Sequence, residues 1–158
     1  MKTNLVTGVN GFIGRNLAKV LLEKGEYVYG VDIFMDTSSE LNEYKNFTPI
    51  KVEKDNFNAI DLDVIQALDV VYHLGWAGQL GGSDLNDFNL QIGNVHMTAK
   101  LLEKMVEVGM KKFVFCGSIS HYKMAKDAYN VNADIYGLSK MYAGKLSMNI
   151  ALRHQIKG

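Results

Sequence analysis

Three glycines set three residues apart, in Thr7-Gly8-Val9-Asn10-Gly11-Phe12-Ile13-Gly14, stand between a short β-rich run and a long helical pattern. This arrangement constrains the fold more than any other feature of the chain. Gly8 permits a tight turn out of the strand, Gly11 lets the backbone approach a pyrophosphate, and Gly14 lets helix and strand pack closely. The N–H groups at the helix start then face an anion, aided by the helix dipole. Gly8, Asn10, Gly11, Phe12, Ile13 and Gly14 are therefore candidate cofactor-binding positions.

The rest of the chain repeats the alternation. Strands are expected over Lys2 to Thr7, Tyr27 to Asp32, Pro49 to Val52, Val70 to Leu74 and Lys112 to Cys116. Helices are expected over Phe12 to Lys24, Ile60 to Ala67, Phe88 to Val108 and Ile135 to His154, with a loop or short helix between Met35 and Thr48. In the first helix Ile13, Leu17, Val20 and Leu21 are expected on one face, and Gly25 suits its C-terminal cap. Strands separated by helices predict an α/β fold, a doubly wound parallel sheet of about five strands covered on both faces.

With 158 residues the prior is a single domain. Seventeen basic and seventeen acidic side chains leave no net charge, which argues against nucleic acid as a partner. A single cysteine predicts a reducing, cytoplasmic setting. The run before Gly8 is too short for a signal peptide, and no membrane association is expected. No Gly-Lys-Ser/Thr follows the glycine loop, which argues against kinase-like phosphate transfer.

Asp32 ends the second strand, 18 residues after Gly14, where a carboxylate can accept hydrogen bonds from the ribose hydroxyls of a dinucleotide. No arginine follows in Ile33-Phe34-Met35, so a 2′-phosphate would meet a carboxylate there. NAD is expected over NADP. On the last helix Tyr136 and Lys140 stand four apart and share a helical face. A free tyrosine ionises near 10, and a nearby ammonium favours the phenolate that a general base requires. Ser118 follows the fifth strand, at a carboxyl end of the sheet, where ligands of open α/β sheets bind.

The glycine spacing, with Gly11-Phe12-Ile13-Gly14, resembles the extended short-chain dehydrogenase/reductase superfamily, whose members include NAD-dependent sugar-nucleotide epimerases and dehydratases of Rossmann fold. The resemblance implies that Ser118, Tyr136 and Lys140 are the catalytic residues, with Ser120 as a substitute for Ser118. It places Asp55 against the adenine amino group and the Leu74-Gly75-Trp76 segment beside the cofactor. His73 reads as a core histidine, and Trp76 replaces a small residue of the commonest pattern. Asn94 matches a helix asparagine expected to hold the loop after the fifth strand, and Tyr136 and Lys140 also touch the cofactor. His121 and Tyr122 stand in a loop that either packs or meets substrate.

The implied reaction is hydride transfer on a nucleotide sugar. A non-catalytic NAD-binding or assembly module is the alternative. Family members continue into a sixth strand and a smaller substrate domain. The chain is therefore expected to be the cofactor portion, truncated before both. A homodimer is expected through helices 88–108 and 135–154, because each carries two apolar stripes. In the first, Val95, Thr98, Leu102 and Met105 lie beside Leu90, Met97, Leu101 and Val108. In the second, Leu138, Tyr142, Leu146 and Ile150 lie beside Met141, Met148 and Leu152.

Overall fold

A computed structural model describes residues 1–53, 60, 65, 67–78, 83–119 and 134–157. Strand β1 (Thr3–Thr7) leads into helix α1 (Phe12–Glu23), followed by β2 (Tyr27–Asp32), a 3-10 turn at Glu40–Glu43 and β3 (Phe47–Lys51). Then come β4 (Val70–His73), a second 3-10 turn at Ser83–Asn86, α2 (Phe88–Glu107), β5 (Lys112–Phe115) and α3 (Ile135–Arg153). The five strands form one parallel sheet in the order β3-β2-β1-β4-β5. The doubly wound architecture expected from the alternation is the one observed. Among the described residues, no helix is long and apolar enough to cross a membrane.

Successive side chains of a strand point to opposite faces, so β1 to β4 each feed two cores. Leu5, Val71 and Phe113 pack with Leu101, Leu102 and Met105 of α2. Val6 and Val28 pack with Ala18, Leu21 and Leu22 of α1 on the other face. Full burial of a leucine such as Leu101 contributes about 1.5–3 kcal/mol. Helices α2 and α3 lie against each other. The order in which strands are added reverses between β1 and β4, and a crevice opens at their carboxyl ends.

The helices stop where glycine allows it. Gly25 (φ 75°) and Gly109 (φ 77°) close α1 and α2 in left-handed geometry, with their N–H groups returned to Leu22 O and Val106 O.

Three expectations change. The buried face of α1 is Gly14, Ala18, Leu21 and Leu22, whereas Ile13 and Val20 are exposed. Small residues at positions 14 and 18 bring the helix against the sheet, which turns the bulkier Ile13 and Val20 outward. Strand β3 starts at Phe47, not Pro49; as an outermost strand it tolerates a proline opposite Gly30. In α2 the second stripe is not an outer face, because Leu101 is fully buried and Met97 and Val108 pack against the same core. The exposed apolar face belongs mainly to α3, with Leu138, Tyr142, Met148 and Leu152. Most of the helix expected over 60–67 lies outside the described residues.

Candidate functional site

The glycine loop is built as its spacing requires. Gly8 has φ 67°, and a Cβ there would come within 2.9 Å of Gly75 Cα and N. A Cβ on Gly14 would sit 2.1 Å from Gly8 O. Both positions exclude a side chain by backbone contact. At Gly11 the nearest atom to an added Cβ is Gly8 O, at 3.2 Å, and the glycine borders a cleft.

That cleft has a volume of about 430 Å³ and lies across the carboxyl ends of β1, β2 and β4. Its walls include Gly8, Asn10, Gly11, Asp32, Leu74, Gly75 and Trp76 from the sequence prediction. Thr7, Ile33, Phe34, Ala77 and Met97 also line it. Phe12, Ile13, Gly14 and Asn94 do not. Phe12 is 88% exposed, and Gly14 is buried behind the loop. Asp55, Ser120, His121 and Tyr122 lie outside the described residues.

Asp32 is fixed by two backbone donors, Asn10 N at 2.9 Å and Ile33 N at 2.8 Å. The Asn10 amide donates to Phe34 O, tying the glycine loop to the chain after β2. No arginine follows Asp32 in Ile33-Phe34-Met35, but α1 brings one to the segment after β2. Arg15 pairs with Asp36 at 2.9 Å and so is engaged by its own carboxylate. The spacing of 21 residues concealed this pair.

Beneath the cleft a buried polar relay joins three elements. The Thr98 hydroxyl donates to Asn94 O (2.9 Å), so its oxygen accepts from His73 Nε2–H (2.9 Å). His73 Nδ1 must then accept from the Thr7 hydroxyl (2.8 Å), whose oxygen in turn accepts from Leu74 N and Gly75 N. This polarity assigns the Nε2–H tautomer. Burial, and next the Lys140 charge, push His73 down to about 3, so the ring is neutral. His73 is the core histidine expected, and it locks the ends of β1 and β4 to α2.

Asn94 secures the loop after β4: its Oδ1 accepts from Ala77 N (2.8 Å) and its Nδ2 donates to Ala77 O (2.9 Å). Most of the loop after β5, which it was expected to hold, lies outside the described residues. Through its two-point contact Asn94 shapes the cleft wall at Ala77. The matching of a side-chain amide to one peptide unit requires the fold to bring them together.

Tyr136 and Lys140 line a second cavity of about 210 Å³, which shares Leu74, Trp76 and Ala77 with the first. Asp134 caps α3 by accepting from Gly137 N, which sets the helix phase that aims both side chains inward. Lys140 is 4% exposed, and its ammonium donates to Cys116 O at 3.0 Å. Burial lowers it to about 8. Its Nζ lies 6.0 Å from the Tyr136 ring centroid and 3.9 Å from that of Trp76. Ser118 is half-buried two residues beyond the carbonyl that holds Lys140.

The cleft suits a dinucleotide. Gly11 caps α1 without a side-chain hydrogen bond, leaving the first-turn N–H groups for an anion, whereas Asp87 and Asp134 cap α2 and α3. The carboxylate ending β2 and the crevice at the strand reversal complete the arrangement of a dinucleotide-binding α/β protein. The chain belongs to the NAD dependent epimerase/dehydratase family, which it matches over residues 4–158. NAD is the family's cofactor.

Among relatives, the chain is 31% identical over 156 residues to the uncharacterized UDP-glucose epimerase YtcB of Bacillus subtilis, covering 90% of this chain and 49% of that protein. It is 32% identical over 128 residues to a UDP-glucuronate 4-epimerase of Thermodesulfobacterium geofontis, covering 75% and 40%. The solved structure of MoeE5 in complex with UDP-glucose and NAD superposes with a TM-score of 0.77 at 25% identity, covering 98% of this chain and 51% of that one. The chain thus spans about half the length of these proteins.

Proposed function

We propose that this chain is the cofactor-binding portion of an NAD-dependent epimerase or dehydratase that acts on a nucleotide sugar by hydride transfer. The observation that carries this reading is the junction of two cavities at Leu74, Trp76 and Ala77, one bordered by the glycine loop and the other by Tyr136 and Lys140. NAD, when bound, supplies a reversible hydride acceptor. Gly8, Gly11 and the first turn of α1 bind its pyrophosphate, and Asp32 its adenosine ribose.

Tyr136 Oη takes the proton of a sugar hydroxyl as the carbon bearing it is oxidised, and gives it back when that carbon is reduced. Ser118 orients the reacting oxygen. Lys140 keeps positive charge beside Tyr136, its Nζ 6.0 Å from the ring centroid. The chain's relatives support the substrate class, since the curated proteins it matches include UDP-sugar epimerases. A homodimer about α2 and α3 belongs to the same reading, supported by the exposed Leu138, Tyr142, Met148 and Leu152.

Calorimetric titration with NAD and NADP tests the cofactor half, and tight NAD with weak NADP is the expected outcome. A nucleotide-sugar panel followed at the NADH absorbance tests the chemistry. Binding of NAD with no turnover of any sugar would favour a non-catalytic module. A monodisperse monomer of 17.6 kDa in light scattering would remove the dimer.

A further inference from the structure

Lys140 is a buried ammonium without a carboxylate within 4 Å among the described residues. Such a charge needs other compensation. One partner is Cys116 O. The other is the face of Trp76, with Nζ 3.9 Å from the indole centroid, inside the range of cation–π attraction. Phe115 stands further off, at 5.0 Å.

The indole is itself held. Trp76 Nε1 donates to Gln91 Oε1 at 2.9 Å, and Gln91 Nε2 donates to Asp84 O at 2.8 Å. Gln91 is 1% exposed, so this clamp lies inside the protein. The Tyr136 ring meets the indole edge-on, with centroids 6.2 Å apart and planes at 88°. Trp76 therefore touches both members of the Tyr136–Lys140 pair and forms the wall common to the two cavities.

We infer that Trp76, oriented by Gln91, is a positioning residue that seats the Lys140 ammonium beside Tyr136 through the face of its indole ring. The role rests on the hydride-transfer reading for its purpose, but not for its physical content. A ligand-free lysine on a long flexible stem would otherwise have several rotamers, of which few leave the charge near Tyr136. Among the described residues, the titratable neighbours of the ammonium are Cys116, Tyr136 and the neutral His73.

The test is NMR of the full chain carrying 13C-labelled lysine, with the Lys140 signal assigned by its loss in Lys140→Met. In the wild type that signal is expected to lie upfield of the other lysines, from the indole ring current, and to titrate near pH 8. Trp76→Leu keeps the site apolar and removes the π face, so the displacement should vanish and the midpoint should fall by about one pH unit. Trp76→Phe restores a weaker face and should fall between the two.

If Trp76→Leu does not fold, Gln91→Leu frees the indole and should reduce the displacement. A wild-type Lys140 signal among the ordinary lysines, or a midpoint unmoved or raised in Trp76→Leu, would overturn the inference. Failure of the hydride-transfer reading has a different signature: the ring-current shift is present and no nucleotide sugar is turned over.

Discussion

Acid should weaken this fold through one residue, His73. In the native relay Nδ1 accepts from Thr7, and the Thr7 oxygen already receives two backbone N–H groups. A protonated ring would turn a second N–H toward that oxygen, in a site where the histidine is 3% exposed and Lys140 adds repulsion. The ring ionises at about 3 in the native state against 6.5 as a free side chain. The unfolded state therefore binds the proton more readily, and stability present above pH 6.5 is lost as pH falls towards 3. Between pH 7 and pH 5 the loss is about 2 kcal/mol, since each pH unit well below the unfolded value corresponds to about 1.4 kcal/mol.

Urea unfolding followed by far-ultraviolet circular dichroism at pH 7, 6 and 5 measures this directly. In thermal scans it is a drop of roughly 4–8 °C. Asp36, lowered chiefly by its hydrogen bond from the Ser38 hydroxyl, and Asp69, lowered chiefly by Lys111, lose their contribution only below about pH 4. They fall outside the window. The chain has four histidines, so the decisive comparison is His73→Gln. That variant starts less stable but should lose almost nothing from this source between pH 7 and 5. Equal acid sensitivity in both proteins would refute the neutral, buried assignment of His73.

Three further outcomes follow from the geometry. Gly14→Ala places a methyl group 2.1 Å from Gly8 O, so it should abolish NAD binding in calorimetry and cost about 1–3 kcal/mol in urea unfolding. Tyr136→Phe keeps the ring against Trp76 but removes the proton acceptor. It should eliminate nucleotide-sugar oxidation at the NADH absorbance while NAD affinity changes less than about twofold; full turnover would move the base elsewhere. Lys140→Met should stabilise the chain by about 1–2 kcal/mol at pH 7, because burial holds Lys140 at about 8 against 10.5 and the native state resists that proton. The advantage should shrink as pH rises from 8 towards 10.5, where the unfolded lysine also becomes neutral. A variant less stable at every pH would contradict it.

Much of this protein is written in local sequence. The glycine triplet, the short β-rich runs and the helix periods act over a few residues. Backbone sterics and hydrogen bonding within one turn or one strand decide them, so β2 and the starts of α1, α2 and α3 coincide with their expected positions. The Tyr136–Lys140 pair was legible for the same reason, since four residues of helix bring two side chains together without outside help.

What needed the tertiary structure is everything set by a distant surface. Which face of α1 is buried depended on how closely Gly14 and Ala18 let it approach the sheet, not on where its largest apolar residues fell. Arg15 met Asp36, Asn94 met the peptide of Ala77, and Thr7, His73 and Thr98 formed one relay, across separations of 17 to 66 residues. Trp76 read as a substituted small residue until the packing of β4, α2 and α3 laid its indole under Lys140. A buried polar group must find a partner wherever the fold provides one, and no local rule of spacing records where that will be.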